Sequence, residues 1–152
     1  FNSMGIAFRY QYLEKGEFAC RNLIEKVPDP IKRERRREVI YNGTNAREFQ
    51  TAVNMWVALL NNMEEALNRH EWLASDAYSI ADCAYTPYLT RLDHLNALGF
   101  IRNKPRLINW YERVKARSSY QLGITDWLDV EYLSLMTEKG KEAWPKTEAM
   151  IR

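Results

Sequence analysis

Residues 71–120 read EWLASDAYSIADCAYTPYLTRLDHLNALGFIRNKPRLINWYERVKARSSY. Ser79-Ile80-Ala81-Asp82 in this stretch is a capping box with Asp in the place more often held by Glu. The Ser79 oxygen is set to accept from the backbone N–H of Asp82, and the Asp82 carboxylate to accept from the N–H of Ser79. That carboxylate also sits favourably at the positive end of the helix dipole. Tyr78 before the cap and Cys83 at the fourth helical position are placed to form a hydrophobic staple. Beyond the cap, Ile80, Ala84, Tyr85, Tyr88, Leu89, Leu92 and Leu95 spread over an apolar arc of about 180°, which predicts a helix at the centre of a bundle. Cys83 is expected there as a small apolar filler, and Pro87 predicts a kink near 83–87. After Gly99 the loop runs to Pro105, a residue suited to the first helical position. Leu107, Trp110, Tyr111 and Val114 form the next stripe, with Asn109, Glu112, Arg113 and Arg117 as its polar counterpart.

Upstream, Phe49, Val53, Trp56, Leu60, Met63 and Leu67 fall within about 80° on the helical period. They predict a long amphipathic helix from an N-cap at Thr44 to about Arg69. The first segment, Met4 to Lys26, carries two stripes: Phe1, Met4, Phe8 and Tyr12 on one face, and Ile6, Tyr10, Leu13, Cys20 and Ile24 on another. One stripe is needed for the core, so the second is free for a pocket or a partner. Gly5 and Gly16 weaken a continuous helix there by about 1 kcal/mol each against Ala. Pro28 and Pro30 break the chain before a charged stretch, 31–41. A shorter helix is expected over 126–136, and Gly140 and Pro145 then read as punctuation in a charged, half-ordered tail over 139–152.

Six glycines and five prolines in 152 residues leave few turns, which argues against a many-stranded barrel and for an all-α bundle of about five to seven helices. Its expected core is Trp56, Leu60, Ala84, Tyr88, Leu92, Trp110 and Val114. A net charge of +2 gives no reason to expect nucleic acid or a membrane surface as partner. Nor does any stretch approach the length of a membrane span. Two cysteines make no disulfide framework and point to a reducing, cytoplasmic setting. Cys20, Cys83, His70 and His94 lack ligand spacing, so no metal site is expected. No phosphate loop and no nucleophile elbow occurs. The length suits a single helical domain. Phe1 to Ser3, ahead of the first Met, read as a leftover of preparation or as the cut edge of a longer chain.

Taken together, Glu71-Trp72-Leu73-Ala74, the Ser79–Asp82 box, Pro87-Tyr88-Leu89-Thr90-Arg91-Leu92 and the Pro105–Tyr120 run resemble the C-terminal helical domain of glutathione S-transferases. In that family a Ser/Thr-x-x-Asp box opens a central buried helix, and a Pro-led helix with a Trp-Tyr and basic end follows. Trp110-Tyr111 with Arg113 and Arg117 match that end. The resemblance implies the co-substrate-binding and dimerisation half of an enzyme that directs glutathione at an electrophilic, hydrophobic small molecule, as in detoxification. It also implies that glutathione is bound mainly by a thioredoxin-like domain, to which nothing in this sequence corresponds. The expectations are then no catalytic residue within 1–152, no turnover by this chain alone, and a homodimer.

By the same resemblance, Met4, Phe8 and Tyr12 are the candidate co-substrate contacts. Aromatic and Met side chains bury variable apolar ligands without fixed hydrogen bonds. The alternative is that this face packs on another domain or on a second subunit. Ser79 and Asp82 have a full explanation in capping and are read as structural. Lys32-Arg33-Glu34-Arg35-Arg36-Arg37 is the densest basic run, and Glu34 and Glu38 interrupt it as on a solvated helix face. A non-catalytic interaction module is the rival function. A third reading is a specialised glutathione-dependent activity, such as reductive dehalogenation or ether cleavage.

Overall fold

Sparse turn residues translate, in the computed structural model, into eight α-helices among the described residues, 4–151. A π-helical turn, Met4–Phe8, leads into α1 (Arg9–Leu13). It is followed by α2 (Glu17–Glu25), α3 (Pro30–Asn42), α4 (Arg47–Leu67), α5 (Ile80–His94), α6 (Pro105–Lys115), α7 (Ser118–Gly123) and α8 (Val130–Met150). Phe1, Asn2 and Ser3 lie outside the described residues, as do Arg152 and the side chain of Met4. The fold is all-α. The count exceeds seven because α1 and α7 are pieces of 5 and 6 residues.

The α4 stripe is buried throughout: Phe49, Val53, Trp56, Leu60, Met63 and Leu67 all face the main core. Leu107, Trp110, Tyr111 and Val114 of α6 meet them there, and Pro105 occupies the first turn of α6. Full burial of a side chain such as Leu60 or Leu107 stabilises by about 1.5–3 kcal/mol. Thr44 does not cap α4. It lies in a 3-10 turn, Gly43–Asn45, and the cap position falls to Ala46, whose side chain accepts nothing. Glu38 from α3 fills that gap by accepting from the Arg47 N–H at 2.6 Å.

The first segment is not one helix. The wider π turn at Met4–Phe8 shifts the helical phase, and Gly16, with φ at 86°, separates α1 from α2. Ile6 and Ala7 therefore enter the main core, while Cys20 and Ile24 pack with Ile40 in a second, smaller cluster under the α2–α3 hairpin. Asp29 starts α3 by accepting from the N–H groups of Ile31 and Lys32 at 2.8 and 2.9 Å, with Pro30 as first helical residue. Arg9 closes the other end, donating from Nε to Ile40 O at 2.7 Å and from Nη2 to Tyr41 O at 2.8 Å. It thereby satisfies carbonyls that the last turn of α3 leaves open.

Residues 139–150 are the second half of a 21-residue helix, α8, rather than the sequel to a short one. Asp129 caps it, accepting from Glu131 and Tyr132 N–H at 2.9 and 3.1 Å. Gly140 and Pro145, which read as stops, both lie inside it. Thr147, 1% exposed, donates its hydroxyl to Ala143 O at 2.9 Å, and Trp144 packs edge-on against Phe100.

Candidate functional site

Asp82 is fully buried, and each carboxylate oxygen accepts twice. Oδ1 takes the Leu73 N–H at 3.0 Å and the Trp110 indole N–H at 2.8 Å. Oδ2 takes the Ser79 N–H at 2.8 Å and the Ser79 hydroxyl at 3.0 Å. The Ser79 oxygen accepts in turn from Ala81 N–H at 3.3 Å, within a closed capping box. Burial alone would raise the Asp82 pKa. The donors from Leu73, Trp110 and Ser79 outweigh it and hold the carboxyl below its ordinary value. The side chain thus ties the start of α5 to the 71–78 loop and to α6. Ser79→Ala removes one donor and one acceptor of this set while leaving the carboxylate in place. A stability loss of about 1 kcal/mol is expected in urea denaturation.

The rest of α5 is turned differently from its hydropathy. Its buried side is Asp82, Thr86, Leu89, Thr90 and Leu92. Thr86 donates to Asp82 O at 2.7 Å, and the Thr90 hydroxyl lies 3.1 Å from that of Tyr120. Polar groups with partners inside displace apolar residues to the outside. Ala84 is exposed, and Tyr88 is 49% exposed, so neither belongs to the core that Trp56, Leu60, Leu92, Trp110 and Val114 do form. Ile80 is 86% and Met55, on α4, 68% exposed. Tyr88 lies tilted against Trp56 at 5.7 Å and against Tyr85 at 5.9 Å. Cys83 is exposed too, not a core filler. Its thiol meets Tyr78 as a donor to the phenol oxygen at 3.4 Å, a polar contact where an apolar staple was expected.

Of the three candidate contacts, the Met4 side chain lies outside the described residues. Phe8 is half-buried against the main core and packs edge-on against Tyr132 of α8, with ring centroids 5.5 Å apart. Tyr12 sides with the smaller Cys20–Ile24–Ile40 cluster. The structure therefore brings Phe8 together with Tyr132, which the sequence did not single out, and assigns Tyr12 to a different cluster.

The basic end of α6 and Arg117, at the cap of α7, work on the 71–78 loop. The Arg113 guanidinium lies 4.3 Å from the Trp72 ring centre, and that of Arg117 lies 3.7 Å from the Tyr78 ring. Arg113 also bonds the Glu71 carbonyl. A wide, open cleft of about 760 Å³ between the end of α4 and α6 is lined by Arg69, His70, Arg106 and Arg113. Each of these bases has a partner: Glu65 at 4.0 Å, Asp76 at 3.7 Å, Glu64 at 3.5 Å and the Glu71 carbonyl. In the basic run of α3, Arg33 and Arg37 reach Glu25 at 3.4 Å each, and Arg35 reaches Glu48 at 3.1 Å. Such exposed pairs contribute about 0–1 kcal/mol. Among the described residues, no group of three or more His, Cys, Asp or Glu is placed to hold a metal ion. Among the same residues, no helix is long and apolar enough to cross a membrane.

Residues 44–113 match the family model described as glutathione S-transferase, C-terminal domain. That span holds α4, the Asp82 hub and most of α6. A similar protein is the tetrachloro-p-hydroquinone reductive dehalogenase of Sphingobium chlorophenolicum, 32% identical over 87 residues. The aligned part covers 55% of this chain and 35% of that protein, so the likeness spans about a third of the relative's length. No solved structure matches.

Proposed function

We propose, for a chain that carries a glutathione S-transferase C-terminal domain over residues 44–113, that it is the co-substrate-binding and dimerisation half of a glutathione-dependent transferase. In the whole protein a thioredoxin-like domain would bind glutathione and stabilise its thiolate, the form that attacks an electrophilic carbon. This half would offer apolar and aromatic surface to the electrophile, with Met4, Phe8 and Tyr12 as the candidate contacts. The observation that supports the reading best is the exposed apolar face of Ile80, Ala84, Tyr85 and Tyr88 on α5. A central helix with such a face is built to be covered. The relative's printed name favours a halogenated aromatic electrophile and a reductive dehalogenation among the reactions to test.

Two measurements check it. Calorimetry on residues 1–152 should register no binding of glutathione, and micromolar affinity would sink the proposal. Ile80→Glu should leave the stability of the isolated chain within about 0.5 kcal/mol, because the side chain is 86% exposed. In the whole protein the same change should lower glutathione-dependent turnover of a chlorinated aromatic at least tenfold. Unchanged turnover there means that the face is not the seat of the glutathione-binding half.

A further inference from the structure

Between α5, α6 and α7 lies a pocket of about 220 Å³, walled by Tyr78, Cys83, Pro87, Val114, Tyr120 and Ile124. A dry cavity of about 150 Å³ is enough to take up a benzene ring, so this one has room for a ring with a short substituent. No charged side chain lines it. A charged ligand would lose hydration there with no counter-ion among the lining side chains. Of its lining, Val114 is 1% exposed, and the Thr86 hydroxyl, also in the lining, donates to Asp82 O at 2.7 Å.

Two phenols line the pocket, and both are held by neighbours. Tyr78 is clamped with Arg117 3.7 Å from its ring centre and Trp72 edge-on at 5.0 Å. The Tyr120 hydroxyl is fixed by Thr90 at 3.1 Å and Tyr111 at 3.3 Å, and Tyr111 donates onward to Asp93 at 3.0 Å. Walls already fixed in place lose little freedom when a ligand enters. The Tyr78 oxygen accepts from the Cys83 thiol, and its own proton has no acceptor among the hydrogen bonds of the described residues. Burial keeps that phenol above its ordinary pKa, so it stays protonated and able to donate.

We propose that this pocket is a binding site for one neutral, single-ring organic molecule bearing a hydrogen-bond acceptor, which receives the Tyr78 hydroxyl proton. The site does not depend on the transferase reading, since every group in it belongs to the described chain. Cys83 supplies the readout: it is the exposed thiol at the pocket, whereas Cys20 is 1% exposed. The experiment measures alkylation of Cys83 by iodoacetamide, followed by peptide mass spectrometry, with three probes. Acetophenone has the ring and the acceptor, ethylbenzene has the shape alone, and benzoate adds a charge. Acetophenone should slow alkylation saturably, ethylbenzene should need about tenfold more for the same effect, and benzoate should not protect. Tyr78→Phe, with its own unliganded rate as baseline, should bring acetophenone down to the level of ethylbenzene. Ser119→Trp, a change at an exposed rim residue of the pocket, should abolish protection in a chain that still folds. Absence of saturable protection overturns the proposal. So does equal protection by all three probes, or an acetophenone effect that survives Tyr78→Phe.

Discussion

Asp82→Ala is expected to remove about 4 kcal/mol or more from the folding stability, moving the urea midpoint down by about 2 M. Four donors converge on this carboxylate, and two of them, the Trp110 indole N–H and the Leu73 N–H, come from outside the capping box. Trp110 is fully buried, so its N–H cannot turn to water once the acceptor is gone. A buried donor left without an acceptor costs about 1–3 kcal/mol, and loss of the cap adds about 1 kcal/mol. Against a total of roughly 5–15 kcal/mol for a domain, that is enough to leave a large unfolded fraction at 37 °C. Asp82→Asn should be only partly milder, since its amide would aim N–H groups at two of the four donors. The two substitutions also separate in acid. The folded carboxyl titrates below its ordinary value, so protons bind the unfolded chain first. The stability it contributes is whole above about pH 4–5 and declines as pH falls through the folded pKa. Urea midpoints between pH 3 and 7 should therefore fall less steeply at the acid end for Asp82→Asn than for the parent chain. Parallel acid limbs would show that the carboxylate carries no such linkage.

This hub explains both what could be read in the sequence and what could not. Ser79 and Asp82 stand at a spacing that local chemistry alone makes meaningful, and the stripes of α4 and α6 follow from the helical period with nothing but apolar side chains to place. The partners of Asp82 beyond the box are 9 and 28 positions away, and no local pattern encodes them. Ala84 and Tyr88 were misplaced for the same reason. Hydropathy counts Thr86, Thr90 and Asp82 as outward residues, whereas the Asp82 carbonyl partners Thr86, the Tyr120 hydroxyl partners Thr90, and the Leu73 and Trp110 N–H groups partner the Asp82 carboxylate inside. Once those polar groups are buried, the apolar half of the helix is left outside. Phe8 and Tyr12 were put on one face by counting 100° per residue through a segment that opens with a π turn. The α3 start differs from its reading too: Pro30 reads as a break, yet Asp29 caps the helix and Pro30 is its first residue. What hid α8 was reading Gly140 and Pro145 as punctuation, when at least the glycine is there for a contact.

Gly140→Ala makes that contact measurable. In the middle of a helix, exchange of Gly for Ala alone should stabilise by about 1 kcal/mol. At position 140 the opposite is expected, a net loss of about 2–3 kcal/mol. The added methyl would overlap the Leu95 carbonyl group and stand 2.8 Å from the Leu95 Cα. These are backbone atoms at the C-terminal end of α5, so no side-chain rotation relieves the clash and α8 must lift away. Its neighbouring ties are the Thr137 hydroxyl on His94 O at 3.2 Å and Trp144 on Phe100, with ring centroids 5.7 Å apart. Both should weaken together, so tryptophan fluorescence should report a more solvated indole in the folded variant. A loss of this size corresponds to about 5–10 °C in Tm for a domain of this length. Gly123→Ala is the control: it ends α7 with no atom within 4 Å of the new methyl, and its Tm should stay within about 2 °C of the parent. If both alanines raise Tm, α8 does not lie on the end of α5. If only Gly140→Ala lowers it, the glycine that read as a stop is what lets the two helices touch.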